Sequence, residues 1–263
     1  MIRLALGIEY DGTEYCGWQK QKNSLSVQYC VERALKKVSS ESITIFCAGR
    51  TDSGVHALGQ VVHFETNVQR EQSAWILGVN HYLPSSICVR WVKPVDKDFH
   101  ARFSAISRRY CYIIYNSCIR SALLFQKTWH YKKYLDINKM INAAKYLLGE
   151  NDFSAFRSEG CQSRSTYRRM YHLHVIRKGQ YVIIDVKANS FMYHMVRKIV
   201  SCLVRVGCGE KPEIWILEVL KSCGKADAVS FIAPSSGLYF LEVKYPMHFS
   251  IPSSGVDELL PEY

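Results

Sequence analysis

The stretch Tyr171-His172-Leu173-His174-Val175-Ile176-Arg177-Lys178-Gly179-Gln180-Tyr181-Val182-Ile183-Ile184-Asp185-Val186-Lys187 reads as two strands joined at Lys178-Gly179. Its flanks change period. Upstream, Asp136 can cap a helix that carries Ile137, Met140, Ile141, Ala144, Leu147 and Leu148 on one face. Before that, residues 109–115 alternate like a strand. Downstream, Phe191, Met195, Ile199, Leu203 and Val206 recur at helical spacing, and Pro212 suits the first turn of another helix. Residues 238–245 then close as a strand. The order is β-α-β-β-α-β around a central hairpin, a split βαβ arrangement.

The first half of the chain repeats that order. Residues 2–10 alternate as a strand, and Asp11-Gly12 makes a turn. Ser24 is the expected N-cap of a helix bearing Val27, Val31, Ala34, Leu35 and Val38. Residues 43–47 and 60–65 read as strands around a polar loop. A helix over 74–82 ends before Pro84, and 87–92 gives another strand. The expected fold is therefore α+β, with two ferredoxin-like β-α-β-β-α-β halves. Their antiparallel sheets, which one continuous mixed sheet could unite, would be flanked by helices around a basic cleft. The expected divisions are an N-terminal domain over 1–105, a C-terminal domain over 106–247 and an acidic tail over 248–263.

Composition narrows the function. With 263 residues, 48% of them hydrophobic, the chain can bury a substantial core. No apolar run is long enough to span a bilayer, and the first ten residues lack the pattern of a signal peptide. A cytoplasmic location is expected. The ten cysteines include no C-x-x-C pair and sit singly in apolar segments, which suits reduced thiols. His172 and His174 share a strand face, but without a third ligand they suggest half-buried strand residues, and no metal is expected. A net charge of +11 and a pI near 9.1 favour a phosphate-rich partner. A membrane partner would want a polybasic tail, whereas the tail here carries Asp257, Glu258 and Glu262.

The segment Ala48-Gly49-Arg50-Thr51-Asp52-Ser53-Gly54-Val55-His56-Ala57 gathers reactive side chains between glycines. By composition alone it is a polar loop whose carboxylate caps its own backbone. It matches neither the P-loop nor the dinucleotide fingerprint.

The string from Gly49 to Ala57 closely resembles the active-site motif of the TruA family of tRNA pseudouridine synthases. Further blocks follow in the family's order. Tyr10-Asp11-Gly12-Thr13 with Gly17-Trp18-Gln19 resembles its N-terminal motif. Phe99-His100-Ala101-Arg102-Phe103-Ser104-Ala105 and Arg109-Tyr110-Cys111-Tyr112 resemble its central block. Asp152 to Arg157, Phe191 to Arg197, and Ala233-Pro234 with Gly237-Leu238-Tyr239 complete the set. Ser53 and Tyr193 depart from the family's usual Ala and His.

The resemblance implies isomerisation of uridine to pseudouridine at positions 38 to 40 of tRNA, in the anticodon stem-loop, by a homodimer without cofactor. It makes Asp52 the catalytic carboxylate, attacking ribose or base or removing a proton. Arg197 would keep that carboxylate charged in a dry pocket. Tyr110 would stack on the flipped uracil, Arg50 would fill the space the nucleotide vacates, and Leu238 would wall the pocket. Arg157, Arg164, Arg168, Arg169, Arg177 and Lys178 form a basic cluster expected to face RNA. The competing reading is a non-catalytic basic RNA-binding protein of the same fold. Metal-dependent cleavage is a poor third, because no carboxylates cluster near Asp52 in sequence.

Overall fold

The computed structural model describes residues 1–222, 229 and 231–252. The acidic stretch with Asp257, Glu258 and Glu262 lies outside the described residues. The chain forms two compact units, one of Met1–Ser107 with the chain from Tyr239 onward, the other of Arg108–Leu238.

The first unit runs β1 (Ile2–Tyr10), α1 (Val27–Ser39), β2 (Phe46–Cys47), β3 (His56–Thr66), α2 (Gln72–Tyr82) and β4 (Ile87–Val95). β1 lies between β4 and β3, antiparallel to both, with Leu4 opposite Phe64 and Leu6 opposite Val62. Leu4, Leu6 and Ile8 are buried on one face, and Ala5 and Gly7 are covered on the other. A Cβ at Gly7 would fall 2.2 Å from Cε2 of Trp91, so the indole crosses β1 where only hydrogen leaves room. β2 is far shorter than the expected strand over 43–47, and β3 is longer than 60–65. The helix α1 is capped by Ser26, whose Oγ accepts from the Tyr29 N–H, and not by Ser24. Ser24 is instead held in a bridge with Gln21.

The second unit contains β5 (Ser107–Asn116), β6 (Trp129–Tyr131), α3 (Ile137–Lys145), β7 (Gly149–Asp152), β8 (Tyr167–Lys178), β9 (Tyr181–Ala188), α4 (Met195–Gly207) and α5 (Trp215–Lys221). Its antiparallel sheet has the order β5-β9-β8-β7, with β6 parallel to β5. The central hairpin is the expected one, and Asp136 caps α3 by accepting from the Lys139 N–H. The short β6 and β7 leave no period-2 signal in sequence. Phe191 precedes α4, because His194 at φ 61° starts that helix only at Met195. Pro212 likewise precedes α5, its carbonyl accepting from Trp215 N–H. Ile141 and Leu148, read as inward, are exposed, while Met140, Ala143, Ala144 and Leu147 fill the core.

The last strand, β10 (Leu238–Lys244), pairs in parallel with β3, Tyr239 opposite His56 and Phe240 opposite Ala57. That pairing spans over 180 residues, a separation that local patterning does not register. It makes the sheet of the first unit mixed. Among the described residues no helix is long and apolar enough to cross a membrane, and their nine cysteines are free thiols.

Candidate active site

The loop carrying Asp52 joins β2 to β3 and is bonded along its length. At its foot Ala48 N–H donates to the Val61 carbonyl at 2.8 Å, and Gln60 Nε2 donates to the Gly49 carbonyl at 2.6 Å. At its tip Val55 N–H donates back to the Asp52 carbonyl, with Gly54 at φ 77°. A left-handed residue at that place favours glycine.

The segment following β1 clamps this loop. Trp18 N–H donates to the Thr51 carbonyl at 3.0 Å, and the Tyr10 and Thr51 hydroxyls bond at 2.8 Å in a buried site. Ser53 Oγ and Gly54 N–H both donate to the Tyr15 carbonyl. A Cβ on Gly12 would fall 1.9 Å from the Val55 carbonyl oxygen, so the two backbones touch where no side chain intervenes. The buried rings of Tyr10, Tyr15 and Trp18 anchor the clamp in the core. Two motifs separated by some thirty residues are thus one structural object. Asp52 is half-buried on it, and Arg50 is exposed.

His56 follows Asp52 at the start of β3. Its Nδ1 lies 3.0 Å from Asp11 Oδ1 and 3.2 Å from the Gly12 nitrogen. One ring nitrogen cannot donate to the carboxylate and accept from Gly12 together. The Gly12 N–H is aimed at Nδ1, so that nitrogen accepts in the neutral ring, with the Asp11 carboxylate beside it at 3.0 Å. The other side of the ring system is packed, with Tyr239 stacked at 4.7 Å.

Tyr110, Arg197 and Leu238 belong to the second unit. Tyr110 sits in β5 opposite Val186, largely buried, with Phe191 edge-on to its ring at 5.1 Å. Arg197 occupies the first turn of α4, where its Nε donates to the Ala233 carbonyl at 2.7 Å. Tyr112 Oη donates to the next carbonyl, Pro234, at 2.7 Å. Burial pushes the Tyr112 phenol well up, and the nearby Arg197 charge opposes that shift. Gly237 completes the contact, since a Cβ there would stand 2.7 Å from Tyr112 Cε1. Leu238, buried, follows directly. Arg197, Tyr112 and residues 233–238 are therefore packed together. The role of Tyr112 was not visible in sequence, where seventeen tyrosines compete.

The expected basic cluster divides. Arg157, Arg164, Arg169 and Lys178 are exposed. Arg168 is buried and donates to the Tyr167 carbonyl and Ser163 Oγ; Arg177 spends its guanidinium on Asn116 Oδ1 and the Leu135 carbonyl. Those two hold the fold. The histidine pair also has company that sequence did not show. Asp185 of β9 lies with His172 and His174, giving three potential ligand atoms within 4.8 Å. Both Asp185 oxygens are occupied, by a two-pronged bond from Arg109 at 2.9 and 2.7 Å and by His172 Nε2 at 3.0 Å. An ion-pair network fits this arrangement better than a metal centre.

The α+β scaffold of the first unit thus presents the Asp52 carboxylate on a loop braced by the chain that follows β1, an arrangement open to a carboxylate-dependent enzyme. The comparisons then specify it. The family model described as tRNA pseudouridine synthase matches residues 7–104 and 143–246. The protein named tRNA pseudouridine synthase A from Blochmanniella pennsylvanica is 70% identical over 259 residues, covering 98% of this chain and 99% of its own. Its namesake from Klebsiella pneumoniae subsp. pneumoniae is 53% identical over 252 residues, covering 96% and 93%. This chain belongs to the tRNA pseudouridine synthase family.

Proposed function

We propose that this protein isomerises uridine to pseudouridine in tRNA, at positions 38 to 40 of the anticodon stem-loop, with Asp52 as the catalytic carboxylate. The observation that carries the reading is near-full-length identity to tRNA pseudouridine synthases together with a carboxylate loop clamped at Thr51, Ser53 and Val55. The reaction breaks the bond from N1 to ribose C1′ and makes one from C5 to C1′. The proton leaves C5 and N1 regains one, so atoms balance without oxidant or reductant. Asp52 serves as nucleophile toward ribose or base, or as base toward a ribose proton. Its backbone is fixed before substrate arrives, which lowers the entropic cost of aligning it. By the family resemblance, Arg197 supplies a cation to the site, Tyr110 stacks on the uracil, Arg50 occupies the vacated stack, and Leu238 lines the pocket. Extruding the base costs a few kcal/mol, about what phosphate contacts from exposed arginines such as Arg164 and Arg169 can offset. The protein acts in the cytoplasm as a homodimer, in keeping with the family it resembles.

Tritium release from tRNA labelled at uracil C5 tests this directly. Wild-type protein releases tritium, whereas Asp52→Asn and Asp52→Ala bind tRNA and release none. Release by Asp52→Asn at the wild-type rate would refute the assignment. No release by the wild type would favour a non-catalytic RNA-binding protein.

A further inference from the structure

In the first unit four rings form a connected cluster. Phe46 stacks on His63 at 5.1 Å and lies 5.7 Å from His100, and His100 lies 4.3 Å from Phe103. The two imidazoles are fixed from below. His63 Nδ1 accepts from Ala101 N–H at 3.1 Å, and His100 Nδ1 accepts from the N–H groups of Arg102 and Phe103. Both roles require a neutral ring at the accepting nitrogen. Burial, with the charge of Arg3, holds the pKa of both histidines down.

The outer rings are not buried. Phe103 is 76% exposed and Phe46 51%. One exposed phenylalanine is ordinary, but two joined by a rigid imidazole bridge make a built apolar surface. Its rim is cationic. The Arg102 guanidinium lies 5.6 Å from the Phe103 ring centroid, and the charges of Arg102 and Arg50 both reach Cys47, next to Phe46. A hydrophobic protein partner would meet guanidinium groups at this edge. A nucleotide would meet ring faces for its base and positive charge for its phosphate. β2 also runs straight from Phe46-Cys47 into the loop that carries Asp52.

We propose that Phe46 and Phe103, with Arg102 at their rim, form a stacking subsite for an unpaired nucleobase of the RNA substrate, separate from the base that is isomerised. This rests on the tRNA-modifying function above and adds a second point of grip. The geometry suits a single-stranded loop rather than a duplex, because only an unstacked base offers its π-face.

The test uses an anticodon stem-loop hairpin carrying 2-aminopurine at one unpaired loop position at a time, titrated with full-length protein. Stacking quenches the probe. At one or more positions the wild type quenches it, Phe103→Ala loses the quench, and binding weakens about 5- to 150-fold. Phe103→Trp restores both. Arg102→Met lowers the slope of log affinity against log salt by about one, while Phe103→Ala leaves that slope unchanged. Unaltered quenching and affinity in the Phe46→Ala, Phe103→Ala double variant would overturn the subsite. So would a variant that turns from dimer to monomer in sedimentation while its bound RNA stays fully quenched, since the rings would then join copies of the chain. Tritium release by the wild type, measured alongside, separates the two readings. Release combined with unaffected Phe variants defeats the subsite alone.

Discussion

Gly17 lies against Thr51 so closely that a Cβ at residue 17 would stand 2.6 Å from the Thr51 carbonyl oxygen and 3.1 Å from the carbonyl carbon of Asp52. Gly17 also adopts φ 79°, which L side chains avoid. The backbone of the proposed catalytic residue is therefore located by a glycine far from it in sequence.

Gly17→Ala is expected to displace Thr51 and Asp52, cutting tritium release at saturating tRNA by at least tenfold. Gly179→Ala is the control, because Gly179 has φ 56° but open space around it. That change carries backbone strain alone, about 1 kcal/mol in urea denaturation, with turnover unaltered. Equal turnover losses in both variants would show that strain, and not the contact with Thr51, sets the effect.

Arg109 and Asp185 form a two-pronged ion pair in the second unit, with Asp185 only 1% exposed. Burial by itself would push this carboxyl up; the bonds from Arg109 and His172 outweigh it and hold the pKa at about 2. Arg109→Met strands a buried carboxylate and should cost about 3 kcal/mol in urea denaturation, with Arg109→Lys intermediate because it keeps charge and loses the fork. A cost under about 1 kcal/mol for Arg109→Met would mean the pair is screened as surface pairs are.

Among the groups whose loss of stability in acid has a known sign, His63 and Asp185 act in separate pH windows. His63 is neutral when folded, with its pKa lowered to about 4 by burial and neighbouring positive charge. The unfolded chain takes up that proton below about pH 6.5. Its contribution is thus complete above 6.5 and is lost as pH falls toward 4, about 3 kcal/mol in all. Asp185 is depressed below its unfolded value, so its share, about 2 kcal/mol, is lost from near pH 4 down through 2. Denaturation of His63→Asn against wild type isolates the first loss. Parallel curves between pH 6.5 and 4 would remove His63 as its source.

Local pattern made the hairpin of β8 and β9, the helix α1 and the cap at Asp136 legible, because each depends on neighbours within a few residues. It misplaced the cap of α1 by two residues, since either serine is chemically fit and only the bridge from Gln21 to Ser24 removes one. It missed β6 and β7, which are too short to show a period.

What the amino-acid sequence determined by itself was the α+β order of elements, the basic character and the family-specific block around Asp52, all encoded in spacing and residue type. Tertiary structure alone decided that residues 10–18 brace the Asp52 loop, that the guanidinium groups of Arg168 and Arg177 bond within the fold, and that Asp185 joins the two histidines. These depend on which distant backbones touch, and contact across dozens of residues leaves no periodicity to read. The exposure of Phe46 and Phe103 is of the same kind, since an aromatic ring in a sequence does not announce whether anything covers it.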